Sequence, residues 1–121
     1  GALADTEREW GRLHVQTAYD MLSEVHMPEA VVAMVHQHHE RCDGSGYPCG
    51  LHGARILQGA KILAVADVVE AISSHRPYRP ALGLDAALAE VEEGAGTRYD
   101  AKVCAACIDL FRSGRFSLDD A

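Results

Sequence analysis

The apolar run from residue 56 to about residue 74 limits most strongly what this chain can fold into. Plotted as a helix it is apolar on nearly every side, which is typical of a helix buried within a bundle. The carboxylate of Asp67 interrupts this run. A buried carboxylate is rare unless it is paired or bound to a metal. The residues alone therefore leave two interpretations of Asp67 open: a salt bridge or a histidine-positioning hydrogen bond, and a metal ligand.

Four further segments with helical periodicity predict an all-α fold, an irregular bundle of about five helices with no strand pattern. The predicted helices span residues 6 to about 25, 28 to about 39, 56 to about 74, 84 to about 93, and 101 to 112. We expect Asp5 or Thr6 to cap the first helix and Asp100 to cap the last. The acidic residues Glu90, Glu92 and Glu93 indicate a solvated face.

Length and composition indicate one globular domain over residues 1–121, with a core from 10 to 112 and a polar tail from 113 to 121. The net charge of −7 argues against a general DNA-binding or membrane-surface protein, although local arginines can still bind a nucleotide. Four cysteines without a secretion signal favour reduced thiols and a cytoplasmic location. Cys104 and Cys107 are predicted to be small core residues rather than zinc ligands.

A second constraint is the stretch from His38 to Pro48, in which two adjacent histidines precede a glycine-rich turn. Histidine is the commonest metal ligand. Neighbouring residues of a regular helix point about 100° apart, so His38 and His39 would bind two ions, or one ion each with a shared bridge. From composition alone, a metal site and a solvated histidine cluster remain equally open.

The first predicted helix carries one more histidine, His14. It lies on an apolar stripe that should face the core, made of Trp10, Leu13, Ala18, Met21, Leu22 and Val25. A lone histidine on an apolar face is more often a satisfied core residue than a ligand. The residues alone favour that interpretation of His14.

The stretch from His38 to Pro48 resembles the signature of the HD-GYP family, whose members hydrolyse the bacterial messenger cyclic di-GMP. The resemblance continues through Asp67 to the segment 74–79 and covers residues from about 10 to 111. It implies a partial HD-superfamily domain that binds divalent metal ions, iron or manganese, with two or more in the intact site; for this fragment, a site without metal stays an alternative. It places metal ligands at His14, His38, His39 and Asp67.

The same resemblance implies roles for residues that contact substrate or partners. Arg76 and Arg79 would neutralise charge on the substrate phosphates, and Tyr47 would shape the pocket. In the family, the turn containing Gly46, Tyr47 and Pro48 also serves as a contact surface for diguanylate cyclase partners.

The family's name-giving His-Asp dipeptide does not occur in these 121 residues, so the chain resembles the C-terminal two-thirds of such a domain. We expect the isolated chain to be weak or inactive as a phosphodiesterase. Two alternatives stay open: a non-catalytic truncated relative that binds a cyclic dinucleotide or a cyclase partner through the Gly-Tyr-Pro loop, and a structural remnant. Apolar faces left uncovered by a missing segment would favour self-association or domain swapping.

Overall fold

Five α-helices make up most of the molecule, as the sequence predicts. The computed structural model describes the backbone of residues 2–74 and 80–116, and the side chains of residues 9–74 and 83–116. The helices are α1 (Ala2–Glu24), α2 (Glu29–Gln37), α3 (Gln58–Ser74), α4 (Pro80–Gly94) and α5 (Ala101–Arg112). Isolated bridges are the only β pairing within these ranges, so the all-α prediction is confirmed. The predicted phosphate ligands Arg76 and Arg79 lie outside the described residues.

The central helix is α3, which packs most extensively on α4 and also contacts α2 and α5. The main core lies where α3, α4 and α5 meet, and its buried members are Val65, Val69, Ala87, Val91, Tyr99, Val103 and Cys104. Cys104 is thus a small core residue, as predicted. Among the helices described, none is long and apolar enough to cross a membrane.

Helix ends follow local chemistry, although not always at the predicted residue. The side chain of Asp100 accepts a hydrogen bond from the backbone nitrogen of Val103 at 3.0 Å, which confirms it as the N-cap of α5. By contrast, α1 begins at Ala2, so Asp5 and Thr6 lie within the helix rather than at its start. Helix α4 begins at Pro80, several residues earlier than predicted, because proline suits a first helical position.

Two of the predicted apolar faces are wrong. On α1 the buried side chain is Val15, whereas Trp10 is 63% exposed and Leu13 and Met21 are similarly exposed. Within the described residues α1 packs on α2, which covers only one side of it. Helix α3 is likewise not enclosed, since Ile62 and Leu63 are exposed. Helical periodicity predicts that these helices form, but it does not predict which face of each helix is buried.

The connection between α4 and α5 ties the core to the glycine-rich loop. Glu90 accepts hydrogen bonds from Arg98 at 2.8 Å and from the Tyr99 hydroxyl at 3.0 Å, so its prediction as a purely solvated residue is wrong. Burial, followed by the hydrogen bond to Glu90, raises the pKa of Tyr99. The carbonyl oxygen of Arg98 accepts a bond from the backbone nitrogen of Cys42 at 2.8 Å. The loop that follows the histidine pair is therefore fastened to the α4–α5 connection.

Candidate metal centre

Two histidines from the end of α2 meet a carboxylate from the middle of α3. His38, His39 and Asp67 each offer one ligand atom, and these three atoms lie within 4.8 Å of one another. The predicted second helix ran two residues too far, because α2 ends at Gln37 and the chain turns at His38. The argument from neighbours on a regular helix therefore does not apply. The turn allows both imidazoles to reach one site.

Each histidine has its Nδ1 atom engaged by a hydrogen bond. Nδ1 of His38 lies 2.5 Å from the carbonyl oxygen of Val35, and Nδ1 of His39 lies 3.0 Å from the Tyr47 hydroxyl. Nε2 of His39 lies 4.0 Å from Oδ2 of Asp67. A metal-binding histidine normally uses its second nitrogen in this way, to fix the ring. Nε2 is consequently the nitrogen that each ring has left for a metal ion.

The charge state of His39 suits a ligand. Burial, together with the nearby His38 and Arg41, lowers the pKa of His39 to about 4, while Asp67 opposes that shift. The neutral imidazole is the form that binds metal, and it therefore prevails at neutral pH. The site therefore offers the neutral imidazole of His39 close to the carboxylate of Asp67.

The donor set fits a transition-metal ion. Bonds from a metal ion to imidazole nitrogen are about 2.0–2.1 Å long, so donors on opposite sides of one ion are about 4.2 Å apart. The 4.0 Å separation between His39 and Asp67 is within that span. Two imidazoles and a carboxylate also match the ligand set of non-haem iron sites. The Asp67 side chain is 50% exposed, so the expectation that it is buried is wrong, and the site is open on one side.

His14, the fourth predicted ligand, is exposed, and its ring centroid lies 3.8 Å from that of Trp10. It is not part of the three-residue group. Its helix nevertheless borders the site, because a Cβ atom on Gly11 would overlap the Tyr47 ring. His14 follows Gly11 by one helical turn, and its role as a ligand stays a prediction.

The Gly-Tyr-Pro turn lies directly on the histidine pair. The rings of Tyr47 and His39 are stacked, with centroids 5.0 Å apart and planes inclined by 15°. Gly46 is buried, and a Cβ atom there would overlap the backbone of His39 and Arg41, so this position requires glycine. The peptide between Tyr47 and Pro48 is cis. Tyr47 therefore touches a candidate ligand directly, while its role in substrate binding stays a prediction.

The sequence interpretation missed Glu40, which immediately follows the histidines. Its side chain is only 3% exposed, and its two carboxylate oxygens accept hydrogen bonds from the backbone nitrogens of Cys49 and Leu51 at 2.8 and 3.0 Å. The available signal was its place before a glycine-rich loop, whose backbone N–H groups need acceptors when the loop is packed. Glu40 anchors the loop beside the site and is not one of the three donor residues.

Comparison with known proteins agrees with this arrangement. The HD domain family model matches residues 1–103. The chain is 39% identical over 98% of its length to the cyclic di-GMP phosphodiesterase response regulator RpfG of Xanthomonas campestris pv. campestris. It is 37% identical over 83% of its length to the 3'3'-cGAMP-specific phosphodiesterase 3 of Vibrio cholerae, and 37% identical over 91% to a cyclic di-GMP phosphodiesterase of Thermotoga maritima.

The chain spans only part of these relatives, covering 31%, 22% and 30% of their respective lengths. The match nevertheless includes nearly all of the present chain, with its histidine pair, its Gly-Tyr-Pro turn and the helix of Asp67. The chain therefore belongs to the HD domain family, as a domain of the HD-GYP type.

Proposed function

We propose that this chain is part of a metal-dependent phosphodiesterase that hydrolyses a cyclic dinucleotide, with cyclic di-GMP as the first candidate. The observation that carries the proposal is the convergence of His38, His39 and Asp67 in a domain of the HD-GYP type. Relatives named for cyclic di-GMP and for 3'3'-cGAMP support a cyclic dinucleotide as the class of substrate.

Iron or manganese is the proposed metal, because both accept imidazole and carboxylate ligands together. His38, His39 and Asp67 would hold the ion, and we propose His14 as a further ligand from α1. Such an ion supplies Lewis acidity, which activates water at neutral pH and stabilises charge on a phosphoryl group. The hydrogen bonds to both Nδ1 atoms orient the imidazoles for that purpose.

Other side chains would bind the substrate. The open side at Asp67 gives a phosphodiester access to the site, and Tyr47 lies beside it with its ring on His39. For Arg76 and Arg79 we propose contacts to the phosphates, since guanidinium groups suit phosphate oxygens. The turn of Gly46, Tyr47 and Pro48 is also proposed as a contact surface for a diguanylate cyclase.

The rate of the isolated 121-residue chain is expected to be low. Its sequence offers four candidate ligands and no His-Asp dipeptide, so it lacks the aspartate that bridges two metal ions in the family. The alternative is a chain that binds a cyclic dinucleotide without hydrolysing it. The anchoring of the Gly-Tyr-Pro loop by Glu40 would lower the entropic cost of binding in either case, so binding without hydrolysis is the result that selects this alternative.

The proposed function is tested by measuring metal content, cyclic di-GMP binding and cyclic di-GMP hydrolysis on the same preparations. The chain is purified without chelator and supplied with Mn²⁺ or Fe²⁺. We expect about one metal ion or more per wild-type chain, and slow conversion of cyclic di-GMP to the linear dinucleotide. Asp67→Asn should lose both the metal and the conversion, because it removes the only carboxylate of the group.

The matched control is Asp85→Asn, which makes the same change at an exposed aspartate of α4. Metal content and hydrolysis should not change in this variant. A wild-type chain that binds no metal, or hydrolysis that survives Asp67→Asn, would overturn the proposal. Nucleotide binding with bound metal but no hydrolysis would select the non-catalytic alternative.

A further inference from the structure

Glu40 is the one charged side chain in the core of the described part of the chain. A carboxylate is costly to bury unless its oxygens find donors. Here Oε2 accepts from the backbone nitrogen of Cys49 at 2.8 Å and Oε1 accepts from that of Leu51 at 3.0 Å. Both donors lie within three residues after Pro48 in the chain. The carboxylate therefore ties the outgoing end of the Gly-Tyr-Pro turn to the residue next to His39.

The incoming end of the turn is fastened to the same short segment. The backbone nitrogen of Tyr47 donates to the carbonyl oxygen of His39 at 3.1 Å. Gly46 packs on the backbone of His39 and Arg41, where a side chain would not fit. Residues 46–51 are thus held to residues 39–41 on both sides of Tyr47. This double attachment holds the backbone on both sides of the Tyr47 ring.

The Tyr47 ring in turn determines the orientation of His39. The hydroxyl lies 3.0 Å from Nδ1, and the two rings are stacked at 15°. In a neutral imidazole one ring nitrogen carries the proton and the other carries the lone pair. When Nδ1 donates to the phenol oxygen, the lone pair is on Nε2, which lies 4.0 Å from Oδ2 of Asp67.

We propose that Glu40 is a positioning residue for the metal site, acting through Tyr47. By holding the turn, Glu40 keeps the Tyr47 hydroxyl on Nδ1 of His39 and so presents Nε2 to the position that a metal ion would take. The Glu40 carboxylate accepts its hydrogen bonds from the backbone nitrogens of Cys49 and Leu51, and Glu40 is not a member of the donor group. The inference rests on the proposed function for its purpose, but the orientation of His39 can be observed without metal or substrate.

The first measurement is the set of ring nitrogen chemical shifts of the histidines in the metal-free chain, recorded by NMR with isotope-labelled histidine. In the wild type we expect His39 as a single tautomer with its proton on Nδ1. Glu40→Gln and Tyr47→Phe should both convert His39 to a mixture of tautomers. His38 serves as the internal reference, because its Nδ1 is held by the carbonyl oxygen of Val35 in its own helix.

The second measurement is Mn²⁺ affinity by titration calorimetry. Each single variant should weaken binding by about 10–100-fold, the usual effect of losing an outer-shell partner of a ligand. If Glu40 acts through Tyr47, the double variant should bind Mn²⁺ no more weakly than either single variant, because coupled residues are not additive. A purely structural role of Glu40 would instead give additive losses and lower thermal stability without a change at His39.

The matched control is Asp43→Asn, which removes a carboxylate charge from the same loop. The Asp43 carboxylate accepts hydrogen bonds from the backbone nitrogen and the hydroxyl of Ser45, which lies in the same loop. Its substitution should leave the His39 shifts and the Mn²⁺ affinity unchanged. A change as large as that of Glu40→Gln would overturn the inference, since any charge removed from the loop would then suffice.

The outcomes separate the inference from the proposed function. Unaltered His39 shifts in a folded Glu40→Gln chain overturn the inference, whatever the metal result. If Glu40→Gln does not fold, Tyr47→Phe decides, because unchanged His39 shifts there would leave Glu40 nothing to act through. A wild-type chain with the expected His39 shifts but no Mn²⁺ binding contradicts the proposed function and supports the positioning of His39.

Discussion

Nδ1 of His38 lies 2.5 Å from the carbonyl oxygen of Val35, in the last turn of the helix that ends just before it. A carbonyl oxygen can only accept, so this nitrogen carries a proton, and Nε2 is the ring nitrogen left for a metal ion. His39 is held instead by the hydroxyl of Tyr47 at 3.0 Å. The backbone of α2 thus orients one candidate ligand, whereas a side chain from the following loop orients the other. The second arrangement depends on the loop being folded.

Removal of His38 should weaken metal binding severely. His38→Ala removes one of three donors that lie within 4.8 Å of one another and leaves only one imidazole and one carboxylate in the group. We expect the Mn²⁺ affinity to fall further than the roughly 10–100-fold typical of an outer-shell change. Titration calorimetry with Mn²⁺ measures this loss.

The control for this experiment is His52→Ala, which removes an exposed histidine that does not belong to the three-residue group. It should bind Mn²⁺ as the wild type does. Equal losses in the two variants would mean that histidines bind the ion without a defined site.

His38 and His39 could be predicted from the sequence because they stand together in one local motif, and Asp67 because a carboxylate there interrupts an apolar run. His38, His39 and Asp67 were all identified, and the structure brings their donor atoms together. Glu40 was not identified, because its importance comes from burial and from bonds to residues 49 and 51. Sequence shows that a glutamate is present, but tertiary packing decides whether it is a surface charge or a buried anchor.

The position of Gly46 should tolerate no side chain. In Gly46→Ala the new Cβ would overlap backbone atoms of His39 and Arg41, which cannot move as the tip of a flexible side chain can. We expect a destabilisation of about 1–3 kcal/mol, as is usual for overpacking, together with weaker Mn²⁺ binding. Thermal unfolding and metal titration on the same sample measure both effects.

Gly53→Ala is the matched variant for Gly46→Ala. It makes the same substitution in the same loop, but the new Cβ would lie 3.8 Å from the nearest atom of Cys42. Stability should change by less than about 0.5 kcal/mol. If both variants were equally destabilised, overlap of the new Cβ with the backbone of residues 39–41 would not be the cause.

The core between α3 and α4 should be sensitive to cavities. Val91 is 0% exposed, so Val91→Ala would leave empty space among packed neighbours. We expect the free energy of unfolding to fall by about 2 kcal/mol, measured by denaturant titration.

Val25→Ala makes the same substitution at a residue that is 66% exposed, and it should change stability by less than about 0.5 kcal/mol. Similar losses at both positions would show that this interface is not the core of the folded chain.

The number of helices could be predicted from periodicity, whereas the buried face of α1 could not. Trp10, Leu13 and Met21 are spaced as a core stripe, yet they are exposed, and Val15 is buried instead. Periodicity reports only that a face is apolar, and α1 has apolar residues on more than one side. Which side of α1 is covered depends on how it packs on α2, and the sequence of α1 alone does not specify that packing.

The hydroxyl of Tyr99 should contribute measurably to the connection between α4 and α5. It donates to Glu90 at 3.0 Å, and the same carboxylate oxygen accepts from Arg98 at 2.8 Å. Tyr99→Phe removes one of these bonds but leaves the ring in the core, so we expect a loss of about 1 kcal/mol in the free energy of unfolding.

Tyr19→Phe is the matched control, because no hydrogen bond is made by its hydroxyl among the described residues, and its stability should match the wild type. If denaturant titration gave Tyr99→Phe the same stability as Tyr19→Phe, the bond to Glu90 would contribute nothing, and the carbonyl of Arg98 that binds Cys42 would have to be held by other contacts.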